Sequence, residues 1–124
     1  MSTRMVRITV AAVVGAALAL SPAALAKDDV RVAGKCSKAS TSKLKLGRED
    51  AGTEVEFEVD QNRNGVRWRV VLFRNGTRVA SRTSVTRAPS GSFEARFVTA
   101  GAGRFVARAT SPSGEVCSAA ASTA

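Results

Sequence analysis

The 124-residue sequence predicts an all-β protein, an antiparallel β-sandwich of some seven or eight short strands. Three observations point there. Apolar residues alternate with polar ones at a period of two, as in "TEVEFEVD" (53 to 60). Clusters of Gly, Asn, Pro and Ser break the pattern at regular spacing, as turns between short strands do. No stretch carries the 3.6-residue period of an amphipathic helix. A small closed barrel is the alternative architecture.

Taken in order, the first element is a leader. Arg4 and Arg7 precede a 13-residue apolar run, Ile8 to Leu20, broken only by Thr9. Ser21-Pro22 ends the run, and Ala24 and Ala26 supply the small residues of a cleavage site. This layout predicts a secretory signal peptide over 1–26. The run is shorter than the roughly 20 residues a spanning helix needs. Residues 27–124 then form a single domain that is secreted and has no transmembrane segment. That mature chain keeps 17 of the 19 bases and all 10 acids, a net charge of +7.

Two cysteines, Cys36 and Cys117, stand near the ends of the mature chain. Export favours a disulfide, and two cysteines allow one intramolecular pairing. Lipid attachment at Cys36 in "VAGKC" is the alternative. It fails because Lys35 occupies a position that needs a small residue, and Cys117 would be left alone.

"SKLKLG" (42 to 47) turns Leu44 and Leu46 to one side. "TEVEFEVD" sets Val55, Phe57 and Val59 against Glu54, Glu56, Glu58 and Asp60. Residues 66 to 82, "VRWRVVLFRNGTRVASR", carry Asn75-Gly76 between strand patterns, which predicts a two-residue type I′ hairpin. Asn75-Gly76-Thr77 also fits a glycosylation acceptor, but the hairpin accounts for it. An unbroken ladder from that turn would oppose Phe73 to Arg78, Leu72 to Val79 and Arg69 to Arg82. Trp68, Val70, Leu72 and Val79 would then face inward; Arg67, Arg69, Val71, Phe73, Arg78, Ala80 and Arg82 would face outward. "SFEARFVT" (92 to 99) groups Phe93, Ala95 and Phe97, and "RFVARAT" (104 to 110) groups Phe105, Ala107 and Ala109.

"GTEVEFEVD", the central tryptophan strand, "APSGSF" and "GRFVARATSPSGEVC" together resemble small secreted immunoglobulin-like or fibronectin type III-like domains. More narrowly, the chain resembles small secreted actinobacterial proteins of unknown function. The resemblance covers roughly 34 to 120 and implies a sandwich without assigning an activity. In its terms Trp68 corresponds to the buried strand-C tryptophan. The chain departs from the antibody pattern: its cysteines would join the first and last strands, and without tyrosine there is no tyrosine corner.

With no histidine, the usual general base and the usual metal ligand are missing. No phosphate-binding glycine loop occurs. Glu54, Glu56 and Glu58 share one strand face, opposite Lys43 and Lys45 of the preceding strand pattern, so cross-strand ion pairing is their expected role. The expectation is a protein that is not an enzyme and holds no metal or cofactor.

Dividing the strands as such sandwiches do makes the charge polar. One sheet carries Lys43, Lys45 and Arg96 against five acids, a net −2. The other carries Arg67, Arg69, Arg74, Arg78, Arg82, Arg104 and Arg108 against Glu115, a net +6. Arg67, Arg69, Phe73, Arg78, Arg82, Arg104 and Arg108 are therefore the candidate binding residues, since arginine suits bidentate contact with phosphate or carboxylate. The expected partners are an anionic cell-wall polymer, a lipid headgroup or an extracellular protein. Nucleic acid is disfavoured because Phe73 is the one ring available for stacking. A solvated face with no ligand, a structural or self-associating protein, and a small inhibitor or ligand carrier are the other readings.

Overall fold

A computed structural model describes residues 29–50 and 52–123; the expected leader, 1–26, lies outside them. Nine strands occur in chain order: β1 (Val30–Ala33), β2 (Lys35–Cys36), β3 (Thr41–Glu49), β4 (Gly52–Asp60), β5 (Arg67–Arg74), β6 (Thr77–Val85), β7 (Ser92–Ala100), β8 (Arg104–Thr110) and β9 (Val116–Ser122). They build two antiparallel sheets. Sheet A has the order β1-β3-β4-β7 and sheet B the order β2-β9-β8-β5-β6. The expected division, β3, β4 and β7 against β5, β6, β8 and β9, is the one observed.

Strand alternation explains the core. Leu44 and Leu46 of β3, Val55, Phe57 and Val59 of β4, and Phe93, Ala95 and Phe97 of β7 line the inner face of sheet A. They meet Trp68, Val70 and Leu72 of β5 and Phe105 of β8. Small residues fill the rest of sheet B's inner face: Ala107, Ala109, Ala119 and Ala121. Bulky side chains from one sheet thus occupy the space that alanines leave in the other, as close packing requires. Trp68 is fully buried, tilted against Phe93 with ring centroids 6.0 Å apart. Its Nε1–H donates to Gln61 Oε1 at 3.1 Å, so the indole's one polar group is satisfied.

Two short strands precede the alternating patterns. β1 extends sheet A beyond β3, and β2 extends sheet B beyond β9. Gly34 carries the chain between the sheets. Its N–H donates to Ser42 O at 2.8 Å, and a Cβ there would collide with Ser42 Oγ and the Ser118 carbonyl.

The Asn75-Gly76 hairpin is present, with φ of 51° and 84° at its two central residues, the positive pair a type I′ turn needs. The turn is also held from outside. Asn75 N–H donates to Arg104 O at 2.8 Å, and Arg104 N–H donates to Asn75 Oδ1 at 2.9 Å.

The register past the turn differs from expectation. Arg74 pairs with Thr77 and Phe73 with Arg78, but a bulge between Leu72 and Phe73 then shifts the ladder by one residue. Leu72 opposes Ala80, Val70 opposes Arg82 and Arg69 opposes Thr83. Val79 is the extra residue and is 37% exposed rather than inward. A single inserted residue moves every later side chain to the opposite face. The expected opposition of Arg69 and Arg82 therefore does not exist, Arg82 leaves the outer face, and Ala80, expected outward, packs against the core.

Cys36 and Cys117 form a disulfide between directly opposed residues of β2 and β9, with Cα atoms 4.0 Å apart. It closes a sequence separation of 81 residues and ties the N-terminal strand to the last one. Replacing both cysteines by alanine is expected to lower unfolding stability by up to about 4.5 kcal/mol, the loop-closure value for this separation. Urea unfolding followed by Trp68 fluorescence measures it.

Candidate anion-binding face

In β5, Arg67, Arg69, Val71 and Phe73 alternate with the buried Trp68, Val70 and Leu72 and so stand on the outer face of sheet B. Register adds their neighbours. Phe73 lies between Val106 of β8 and Arg78 of β6, Val71 between Arg108 and Ser81, and Arg69 between Thr110 and Thr83. On the far side Arg104 opposes Ser122, Arg108 opposes Ser118, and Ser118 in turn opposes Lys35 of β2. Five arginines and one lysine are thus exposed on one face, framing the half-buried Val71, Phe73 and Val106.

Each of these arginines is directly opposed by a neutral residue. Thr83 and Thr110 flank Arg69, Val71 and Ser118 flank Arg108, Val85 faces Arg67, Phe73 faces Arg78 and Ser122 faces Arg104. Arg69 and Arg108 are diagonal neighbours, a relation that sets Cα atoms roughly 7–8 Å apart. None of the six cations takes part in an ion pair among the described residues, and no carboxylate occupies the strand positions of this face.

Of the expected site residues, Arg67, Arg69, Phe73, Arg78, Arg104 and Arg108 are brought together. Arg82 is the correction. It opposes the buried Val70, its guanidinium lies over the Phe97 ring at 4.7 Å, and its Nη1 donates to Arg96 O at 2.6 Å. Arg74 opposes buried Phe105 and lines the same hollow as Arg82. Lys35 was missed by sequence reasoning, because nothing local to "GKCS" marks a two-residue strand.

Sheet A's outer face behaves differently. Lys43 pairs with Glu58 at 3.2 Å and Lys45 with Glu56 at 3.6 Å, the cross-strand pairing the alternation implies. Lys45 and Arg31 also reach Asp29, and Arg96 reaches Glu49 and Glu54. Glu94 opposes Glu58 directly. Desolvation first, then the charges of Glu56 and Glu58, hold its carboxyl above the usual range.

Glu115 is buried and lies on neither outer face. Its carboxylate accepts from Ser40 N–H at 3.0 Å and from Ser40 Oγ–H at 2.8 Å. Cys36, Glu115 and Cys117 bring three potential ligand atoms within 4.8 Å, but both sulfurs are bonded to each other, which leaves no thiolate to bind a metal.

Comparison with family models, with curated proteins and with solved structures finds no match to this chain.

Because Glu94 binds its proton more tightly in the folded protein, its ionisation opposes folding. The stability it offers is full below the unfolded-state pKa and is lost as pH rises through the higher folded value. Glu94→Gln is therefore expected to raise the melting temperature at neutral pH. The gain should be small, no more than about 0.5 kcal/mol for an exposed position. Thermal melts in acid, below about pH 4, should show no difference between the two proteins.

Proposed function

We propose that this is a secreted, non-catalytic sandwich of the immunoglobulin-like or fibronectin type III-like kind that binds anionic polymer or headgroup surfaces through the outer face of sheet B. The connectivity supports the class: two sheets of three and four principal strands, with β5-β6 and β8-β9 as neighbouring pairs in one sheet. One observation carries the binding reading. Among the described residues six exposed cations share a face without a carboxylate, while on the opposite face Lys43, Lys45 and Arg96 are each paired with a carboxylate and acids remain in excess. A face needed only for solubility gains from mixed signs, which hold down long-range repulsion. Phosphate and carboxylate ligands fit the guanidinium fork, and Val71, Phe73 and Val106 offer an apolar floor for a ligand's backbone.

The opposite charges of the two outer faces favour a second reading, head-to-tail self-association, in which the acidic face of one copy meets the basic face of the next. Light scattering at low and high salt separates the two readings. A monomer at every ionic strength removes the second.

Retention on polyphosphate-coated beads and on vesicles containing an anionic phospholipid tests the first. Arg69→Glu and Arg108→Glu should each elute at clearly lower salt, and wild-type binding should weaken steeply as salt rises through counterion release. Arg48→Glu makes the same charge change on an exposed residue of sheet A and should shift elution much less. Equal shifts for all three would show net charge alone at work and refute the site. Arg82→Glu should resemble Arg48→Glu, because Arg82 points away from this face.

A further inference from the structure

The last strands of the two sheets, β6 and β7, run along the same side of the sandwich. Both are edge strands, and a groove lies between them. Arg82 divides the groove by spanning from β6 to the Arg96 carbonyl of β7. On one side is a hollow of about 400 Å³, lined by Arg74, Val79, Ala80, Arg82, Phe97 and Val98. On the other is a hollow of about 470 Å³, reached by Glu58, Ser84, Arg87, Phe93 and Glu94. The two exposed large apolar side chains among the described residues, Val79 at 37% and Val98 at 50%, both stand at the first hollow.

The backbone of β7 indicates what belongs there. Ser92 exchanges hydrogen bonds with Arg87, away from β4, and Arg96 O also points away from β4 to reach Arg82. Alternation in an antiparallel ladder puts the N–H and C=O groups of Glu94 and Val98 on that same free edge. The other long edge among the described strands is defended. β6 carries the bulge at Val79 and the inward-pointing Arg82, both devices that discourage strand pairing. The far edges, β1 and β2, have only four and two residues. β7 is nine residues long, with no bulge in its pairing to β4.

We propose that β7 accepts an extended peptide as an added strand, with an aliphatic side chain seated between Val79, Val98 and Phe97 and an acidic side chain against Arg74 and Arg82. Only another peptide backbone matches the repeat of outward N–H and C=O groups along Glu94–Val98, of which the Arg96 carbonyl is held by Arg82. The acidic requirement follows from charge: two guanidinium groups line the first hollow and no carboxylate does. Arg82 acts as a latch. Its bond to Arg96 O is exchanged for the peptide's carboxylate, which frees that carbonyl for the incoming N–H. This surface is separate from the anion-binding face, so either proposal can fail alone.

The test is selection from a phage library of random linear peptides about a dozen residues long, enough to run the length of β7. Selection is made on folded wild-type protein with counter-selection on Val98→Pro. Proline there removes an outward N–H without touching the β4 ladder. Enriched peptides should alternate β-branched residues with polar ones and carry Asp or Glu. As synthetic peptides they should slow amide exchange at Glu94 and Val98, and Arg74→Glu should weaken them at least about tenfold by like-charge contact. Val98→Lys, read the same way, covers the case in which the proline variant does not fold. No enrichment over the counter-selected variant overturns the proposal, as does binding lost on Arg69→Glu but kept on Arg74→Glu. A concentration-dependent dimer that Val98→Lys abolishes would identify a second copy as the occupant, and would overturn the peptide reading as well.

Discussion

Everything about this molecule's surface depends on the burial of one row of side chains per strand. Trp68, Phe57 and Phe105 are fully buried where the two sheets meet, and each fixes the phase of its own strand. Side chains alternate with a period of two, so once Trp68 faces the core, Arg67 and Arg69 must face water. Fully burying one large apolar side chain is worth about 1.5–3 kcal/mol. Exposing an arginine costs almost nothing. The apolar row therefore decides the phase, and the charged row follows it.

The two charged rows have opposite characters for a reason visible in register. In sheet A, β3 supplies lysines where β4 supplies glutamates, so opposed residues neutralise one another. In sheet B, β5 and β8 both supply arginines, and the register offsets them so that each meets threonine, serine or an apolar residue. Direct opposition of like charges is avoided, yet nothing of opposite sign is supplied. The face is tolerated by the fold rather than neutralised within it, which leaves its charge available to a partner. Among the described acids the like-charge opposition, Glu58 with Glu94, falls where Lys43 engages Glu58.

The bulge in the β5–β6 hairpin separates the two proposed surfaces. Without it Arg82 would join the basic face and Val79 would be buried. With it, Arg82 turns inward across the open side of the sandwich, over the Phe97 ring and onto the Arg96 carbonyl. One extra residue in one strand thus moves a cation from a flat face to a groove and leaves an aliphatic side chain exposed beside it.

Much of this was legible from the sequence alone. The strands carrying Val55, Trp68, Phe93 and Phe105 follow from alternation, the type I′ turn from Asn75-Gly76, and the Cys36–Cys117 bond from the one intramolecular pairing that two cysteines allow. These depend on local pattern or on elimination, which a linear text contains. Only the tertiary structure decided the register beyond Phe73, because the turn fixes the pairing as far as Arg78 and nothing local marks Val79 as the extra residue. It alone placed Arg82 and Arg74 in the groove, brought Lys35 to the basic face, and buried Glu115 against Ser40. Each of these depends on residues distant in sequence, whose meeting no local period encodes.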